Sequence, residues 1–314
     1  MGPRGLGRRG RTLGDAGLTS APEACAWCGA PVAAGSIPRP GGLECARCGV
    51  VTTAPWPSDA ELDSAYAGPY RPTGGRFAGA GDRVLAALRA RLARRLDRIA
   101  PAGPVLDVGA GDGTLVDALA GHGREALGLE RRSDHPRIRV ASPADLEPGW
   151  AVVVFWHSLE HLRRPGEELA RAAALLVPGG VLVIALPNAS SLQARVFGPR
   201  WFAIDAPRHL VHVPARALLA RLEELGLRIE RVSHLRGGQV LFGWLHGLVG
   251  LLPGSPSLWE AIRRPGGRSR QLRRGERTTA VTAAVLLLPV AAACAGLEAA
   301  LRRGGSLYVE ARRG

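Results

Sequence analysis

The sequence predicts an α/β protein. Its main domain is an open, mostly parallel sheet with helices on both faces, joined to a small cysteine-rich module near the N-terminus. Three observations carry this reading. From residue 101 onward, short apolar runs alternate with helical patterns, as in βαβ units. One of those runs, Val105-Leu106-Asp107-Val108, passes into a turn with glycine at 109, 111 and 113, and a helical pattern starts at Thr114. Four cysteines stand as two C-x-x-C pairs, Cys25 with Cys28 and Cys45 with Cys48.

A chain of 314 residues with 46% hydrophobic content can build one large domain and a small module. The net charge of +14 would ordinarily point to nucleic acid or an anionic membrane. All 41 basic residues are Arg, however, in a chain dominated by Ala and Gly. This is compositional bias spread over the whole chain, so nucleic acid is the weaker expectation. Residues 1–20 are Gly- and Arg-rich without the apolar run of a secretory signal, and they read as a disordered lead on a cytoplasmic protein.

The two C-x-x-C pairs, sixteen residues apart, predict a zinc ribbon over 21–55 with Cys25, Cys28, Cys45 and Cys48 as ligands. Four protein ligands leave no open coordination position, so the zinc would be structural. Residues 56–100 read as a linker and a leading helix. The linker carries Tyr66, Tyr70 and Phe77 and is placed over the active site; the helix, over 82–99, shows Leu88, Leu92, Leu96 and Ile99 at helical spacing.

In the core, over 101–235, the glycine turn lets the backbone bend and lets a ligand lie against it. The second strand, Ala126 to Leu129, ends at Glu130, placed to accept ribose hydroxyls. A dinucleotide fingerprint is G-x-G-x-x-G, whereas the spacing here is G-x-G-x-G with Thr114 next. The acid at Asp107 would repel a pyrophosphate and suits a neutral or cationic nucleoside. A short strand over 137–140 is followed by Asp145. A buried strand, Ala151 to Trp156, runs into His157-Ser158-Leu159-Glu160-His161, and a fifth strand, Val181 to Leu186, lies between Pro178-Gly179-Gly180 and Pro187-Asn188. A sixth strand pattern covers 227–232 and a matching last one covers 306–311.

The run Leu106 to Gly113, the E-H after the fourth strand, the P-G-G turn and the P-N after the fifth together resemble the class I S-adenosylmethionine-dependent methyltransferases. Over about residues 100–235 they are similar to the branch with ubiquinone-type O-methyltransferases and many enzymes of glycan and natural-product clusters. The resemblance implies a Rossmann-like seven-stranded methyltransferase sheet and S-adenosylmethionine as cofactor. Asp107, Gly109, Ala110, Gly111 and Gly113 would form the cofactor turn and Glu130 would hold the ribose. Asp145 would approach the adenine amino group, and is equally readable as a turn or cap residue. Related enzymes with an E-x-x-E-H motif hold a divalent metal; here His157 replaces the first Glu. His157, Glu160 and His161, with His209 or His212 from a long aromatic loop over 198–212, are therefore open to three readings: a metal site, a general base, or structural histidines.

Residues 236–303 are an apolar and Arg-rich helical insertion before the final strand at 304–314. Its apolar pieces, 240–253 and 279–297, are expected to lie on a membrane face, to cover the substrate entrance, or to form a dimer surface. The expected function is methyl transfer, on oxygen, to a small-molecule or lipid-linked acceptor of sugar, quinone or polyketide type. The alternatives are an RNA methyltransferase and a catalytically silent adaptor.

Overall fold

The computed structural model describes residues 22–32, 36–67, 77, 81–235, 238–254, 256–263 and 272–314. The expected lead over 1–20, Tyr70 and most of the Arg-rich loop of the insertion lie outside the described residues. In the N-terminal module, β1 (Ile37–Arg39) and β2 (Gly42–Glu44) form a hairpin, and β2 pairs antiparallel with β3 (Val51–Thr53). Beyond it, α1 (Asp59–Tyr66) and α2 (Gly81–Ile99) lead to the core. The segment expected as a plain linker ahead of the leading helix therefore contains a helix of its own, α1. The signal was local: Ser58 and Glu61 form a reciprocal capping box, and Leu62 and Ala65 are buried.

The core runs β4 (Val105–Val108), α3 (Thr114–Ala120), β5 (Ala126–Leu129), β6 (Ile138–Arg139), β7 (Trp150–Trp156), α4 (Pro165–Leu175) and β8 (Leu176–Pro187). Then come α5 (Leu192–Phe197), β9 (Val211–His212), α6 (Ala215–Glu224) and β10 (Leu227–Ser233). The insertion contributes α7 (Gln239–Gly250), α8 (Leu258–Ile262) and α9 (Arg274–Ala300), and β11 (Ser306–Arg313) closes the chain. Seven strands form one sheet in the order β10-β11-β8-β7-β4-β5-β6. Only β11 is antiparallel to its neighbours, wedged between β10 and β8. The P-G-G sequence, expected to end a helix, lies inside β8; the helix stops earlier, at Leu175.

Parallel strands covered on both faces read as continuous apolar runs, and side-chain alternation splits them between two cores. On one face Leu106, Val108, Val153, Phe155, Leu182 and Ile184 pack with Leu169 of α4 and Leu218 of α6. Val105, Val152, Val154, Val181 and Tyr308 face the other way, onto Leu92 and Leu96 of α2 and Leu115 of α3. The cysteine module docks on the first face: Cys25, Trp27, Cys45 and Val50 belong to the same cluster as Leu169 and Leu218. Contact there is so close that a Cβ on Gly166 would lie 2.0 Å from the Trp27 carbonyl oxygen. The module's small sheet also takes its fourth strand, β9, from the core.

In the insertion, α9 buries Ala280, Ala283, Ala291, Ala295 and Glu298 on one side and exposes Val285, Leu286, Val290 and Leu297 on the other. Glu298 anchors it. Its carboxylate accepts from the Gln193 backbone N–H, the Gln193 side-chain amide and the Trp244 indole, each at 2.9 Å. Replacing Glu298 by Ala would leave the Gln193 backbone N–H and the Trp244 indole N–H without that partner and the Gln193 amide with only its bond to the Val240 carbonyl, so Glu298→Ala should cost about 3 kcal/mol, read as a lower urea midpoint at unchanged slope.

Candidate functional site

The chain leaves β4 for β5 and β6 on one side, then crosses to β7 on the other. The carboxyl ends of β4 and β7 therefore flank the switch point of the sheet, where ligands bind in open α/β folds. The loop after β4 holds the glycine turn, with φ of +80°, +62° and +77° at Gly109, Gly111 and Gly113, a conformation that side chains disfavour. Two backbone amides of the turn, Gly109 and Ala110, donate to the Leu129 carbonyl at 2.8 and 3.0 Å, and the Gly111 amide donates to Glu130 Oε2 at 2.9 Å. The expected ribose acid and the glycine turn are thus one hydrogen-bonded unit. Asp107 is buried beneath it at 3% exposure.

Asp145 sits in a short 3-10 turn and accepts from the Ser142 backbone amide at 2.7 Å, so in this structure it serves as a cap. A residue that the sequence reading missed is His135. Its ring lies 2.8 Å from where a Cβ on Gly113 would be, and Nε2 lies 3.1 Å from Asp117 Oδ2. No spacing rule marks it, because its loop reaches α3 only through the fold.

Across the crevice, β7 ends at His157, whose φ of +54° is rare outside glycine. Its Nδ1 lies 3.5 Å from Glu160 Oε1. Glu160 is 2% exposed, and neither carboxylate oxygen makes a hydrogen bond among the described residues. Burial pushes this carboxyl up, but the neighbouring His157, then His161 and His209, outweigh it and bring it down to about 2. Ligating atoms of Glu160, His161 and His209 lie within 4.8 Å of one another. The structure thus selects His209 as the partner from the long loop. His212 is buried in β9, apart from that trio, and its Nε2 lies 2.9 Å from a Cβ built on Gly41.

The histidine tautomers follow from their partners. His161 Nδ1 lies 2.9 Å from the Arg208 carbonyl and His209 Nδ1 lies 2.7 Å from the Ala203 carbonyl. A carbonyl only accepts, so each Nδ1 carries the hydrogen and each Nε2 keeps a lone pair for a proton or a metal. Tyr66, at the end of α1, places its hydroxyl 3.0 Å from His161 Nδ1. The same helix is tied to both sides of the crevice: Asp63 pairs with Arg131 at 3.6 Å, and Asp59 with Arg163 at 2.6 Å. Above the long loop, Phe202 meets Phe242 of α7 at 5.1 Å between ring centroids and Trp259 of α8 at 5.6 Å, which seats the insertion on the loop that carries His209.

At the module, Cys25 and Cys48, and likewise Cys28 and Cys45, have Sγ atoms 3.7 Å apart. That is too far for a disulfide, and it matches the edge of about 3.8 Å of a tetrahedron with Zn–S bonds of about 2.3 Å. Both knuckles have the same form. The Gly29 amide donates to the Cys25 carbonyl at 2.9 Å and the Gly49 amide to the Cys45 carbonyl at 2.8 Å. The donor set fits a zinc ion.

The fold is a Rossmann-like seven-stranded sheet with helices on both faces, in which one antiparallel strand lies beside β8, a glycine turn is bonded to the acid after β5, and an acid and imidazole cluster follows β7. Residues 79–232 match the family model described as a methyltransferase domain, so the core of the chain is a methyltransferase domain of the class I S-adenosylmethionine-dependent type. Among curated proteins it is similar to the ubiquinone biosynthesis O-methyltransferase of Burkholderia cenocepacia, at 28% identity over 33% of this chain and 53% of that protein. The corresponding protein of Methylococcus capsulatus is 31% identical over 27% of this chain and 44% of its own length. The chain thus spans about half the length of these relatives. Among solved structures, a methyltransferase from Archaeoglobus fulgidus aligns with a TM-score of 0.43 and 18% identity, over 72% of this chain and 93% of that one.

Burial lowers His209, His212 and, in the insertion, His246 from 6.5 to about 4. Because the folded values lie below the unfolded ones, the unfolded chain binds more protons between these limits. Stability is then full above pH 6.5 and lost as pH falls toward 4, by up to about 3 kcal/mol for each histidine. Urea midpoints measured from pH 7.5 down to 4.5 should fall below pH 6.5, and His209→Phe should flatten that fall.

Proposed function

We propose that this chain transfers the methyl group of S-adenosylmethionine to a hydroxyl of a small-molecule or lipid-linked acceptor of sugar, quinone or polyketide type. The observation that supports it is the facing arrangement at the switch point. The glycine turn with Glu130 stands after β4, and Glu160, His161 and His209 stand after β7 or reach it from the long loop. Gly109, Ala110, Gly111, Gly113, Asp107 and Glu130 would hold the cofactor, with Asp145 near its adenine. When bound, the cofactor supplies an electrophilic sulfonium methyl, so no protein nucleophile is needed. Of the three acceptor-side groups, His161 is the base. Its Nδ1 hydrogen is held by the Arg208 carbonyl, which leaves Nε2 to take the hydroxyl proton, and the Glu160 carboxylate stabilises the resulting imidazolium. His209, lowered to about 4, is too weak a base and stays neutral beside it.

A second reading is favoured by the two Glu160 oxygens, which have no hydrogen-bond partner among the described residues. Glu160 with His161 and His209 would hold a divalent cation, which would lower the pKa of an acceptor hydroxyl. Calorimetric titration with S-adenosylmethionine should show binding that Gly111→Arg and Glu130→Ala abolish. Methylation of catechol, sugar and polyketide hydroxyls should fall at least about 100-fold in His161→Ala with cofactor affinity kept. Loss of turnover in mild EDTA, restored by a divalent cation while zinc stays at one per chain, would select the metal reading.

A lipid-linked acceptor draws support from α9, which is long and apolar enough by length and composition to cross a membrane. With Glu298 anchored in the protein and β11 returning to the sheet, its exposed apolar side would lie along a membrane surface, with Arg274 and Arg302 near its ends. Co-sedimentation with anionic vesicles should accompany the wild type and fall about tenfold in Leu286→Glu/Val290→Glu; no co-sedimentation of the wild type would remove this support.

A further inference from the structure

The four-cysteine module looks at first like an appendage, yet its strands and helix end in the acceptor site. The second knuckle, Cys45 to Cys48, runs within three residues into β3. There β3 pairs with β9, Val51 opposite His212 and Thr52 opposite Val211. One step further, the Thr53 amide donates to the Leu210 carbonyl at 2.9 Å and the Thr53 hydroxyl donates to the His209 carbonyl at 2.6 Å. On its other side this segment is held by the Leu210 amide, which donates to the Glu160 backbone carbonyl at 2.8 Å. The His209 backbone is therefore clamped between the module and the Glu160 turn. Thr52 and Thr53 are 1% and 3% exposed, so water does not substitute for these bonds. Beyond β3, α1 crosses the crevice and brings Tyr66 to His161.

We infer that Thr53 and Tyr66 are positioning residues for His209 and His161, and that metal held by Cys25, Cys28, Cys45 and Cys48 therefore sets the geometry of the acceptor site without touching it. This rests on the functional reading above. Small four-thiolate knuckles owe their folding to the metal. Without it β3 loses its template, and with β3 go the two Thr53 bonds to the loop and the pairing with β9. The cofactor turn makes its own bonds, to Leu129 and Glu130, and none of these passes through the module.

The test uses the full chain, loaded with zinc or stripped of it and reloaded. Stripping should speed tryptic cleavage of the Arg208-His209 bond, mapped by mass spectrometry, at least tenfold, while S-adenosylmethionine affinity stays within twofold; reloading should restore protection. In the zinc-loaded protein, Thr53→Val and Tyr66→Phe should each lower kcat about tenfold with KM for the cofactor unchanged, and should shift the imidazole NMR signals of His209 and His161 respectively. The proposal is overturned if the stripped protein keeps its protection at Arg208. It is equally overturned if cofactor affinity is lost together with that protection, since the module would then support the whole fold, or if Thr53→Val leaves the His209 signal in place. The protease and NMR readouts do not require turnover, so they decide this inference even if no acceptor is methylated.

Discussion

The pairing of β4 with β7 is the constraint on which the rest of the molecule depends. It sets Leu106 beside Val153 and Val108 beside Phe155, and so brings the glycine turn and the His157-to-His161 segment to the same edge of the sheet. The pairing is stable because both strands are buried on both faces. The two cores, with α4 and α6 on one side and α2 and α3 on the other, hold them there. A Cβ on Gly109 would lie 2.3 Å from Ser158 Cβ, so the two loops also touch directly.

That packing sets the electrostatics. A carboxylate as buried as Glu160 must have compensating charge or neutralise. Burial pushes its carboxyl up, but His157 first, with His161 and His209, brings it below the ordinary carboxylate range, while the same burial lowers His209 and His212. Acid and imidazole are thus matched by one dry environment, with protons placed by backbone carbonyls. The proposed general base and the proposed cation site would both draw on this donor set, and the choice between them turns on whether anything else satisfies the Glu160 oxygens.

Around this centre the two additions to the fold do different work. The N-terminal module reaches the acceptor loop through β3 and α1, whereas the insertion sits on that loop from above through Phe202, Phe242 and Trp259. Glu298 ties α9 to α5 of the core and to α7 beside it, which keeps α9 on the protein surface with its apolar side outward.

What could be read from the chain by itself follows local rules. Apolar runs between turn residues marked the strands, three alternate glycines marked the turn after β4, the step to Glu130 marked the acid bonded to it, and two C-x-x-C knuckles marked the thiolate cluster. These signals survive in one dimension because each depends on residues a few positions apart. The capping box at Ser58 was equally local, and its helix was still read as linker, because a Pro- and Gly-rich composition masked it. The sequence could offer His209 and His212 together but not choose between them, since the choice depends on which one the β3–β9 register turns toward Glu160. His135 over the glycine turn, Tyr66 on His161 and Thr53 on the His209 backbone join residues from 18 to 156 positions apart. No periodicity encodes such contacts. They exist only once sheet order, strand register and the docking of the cysteine module have been decided by burial of the shared core, and for that reason the tertiary structure alone settled them.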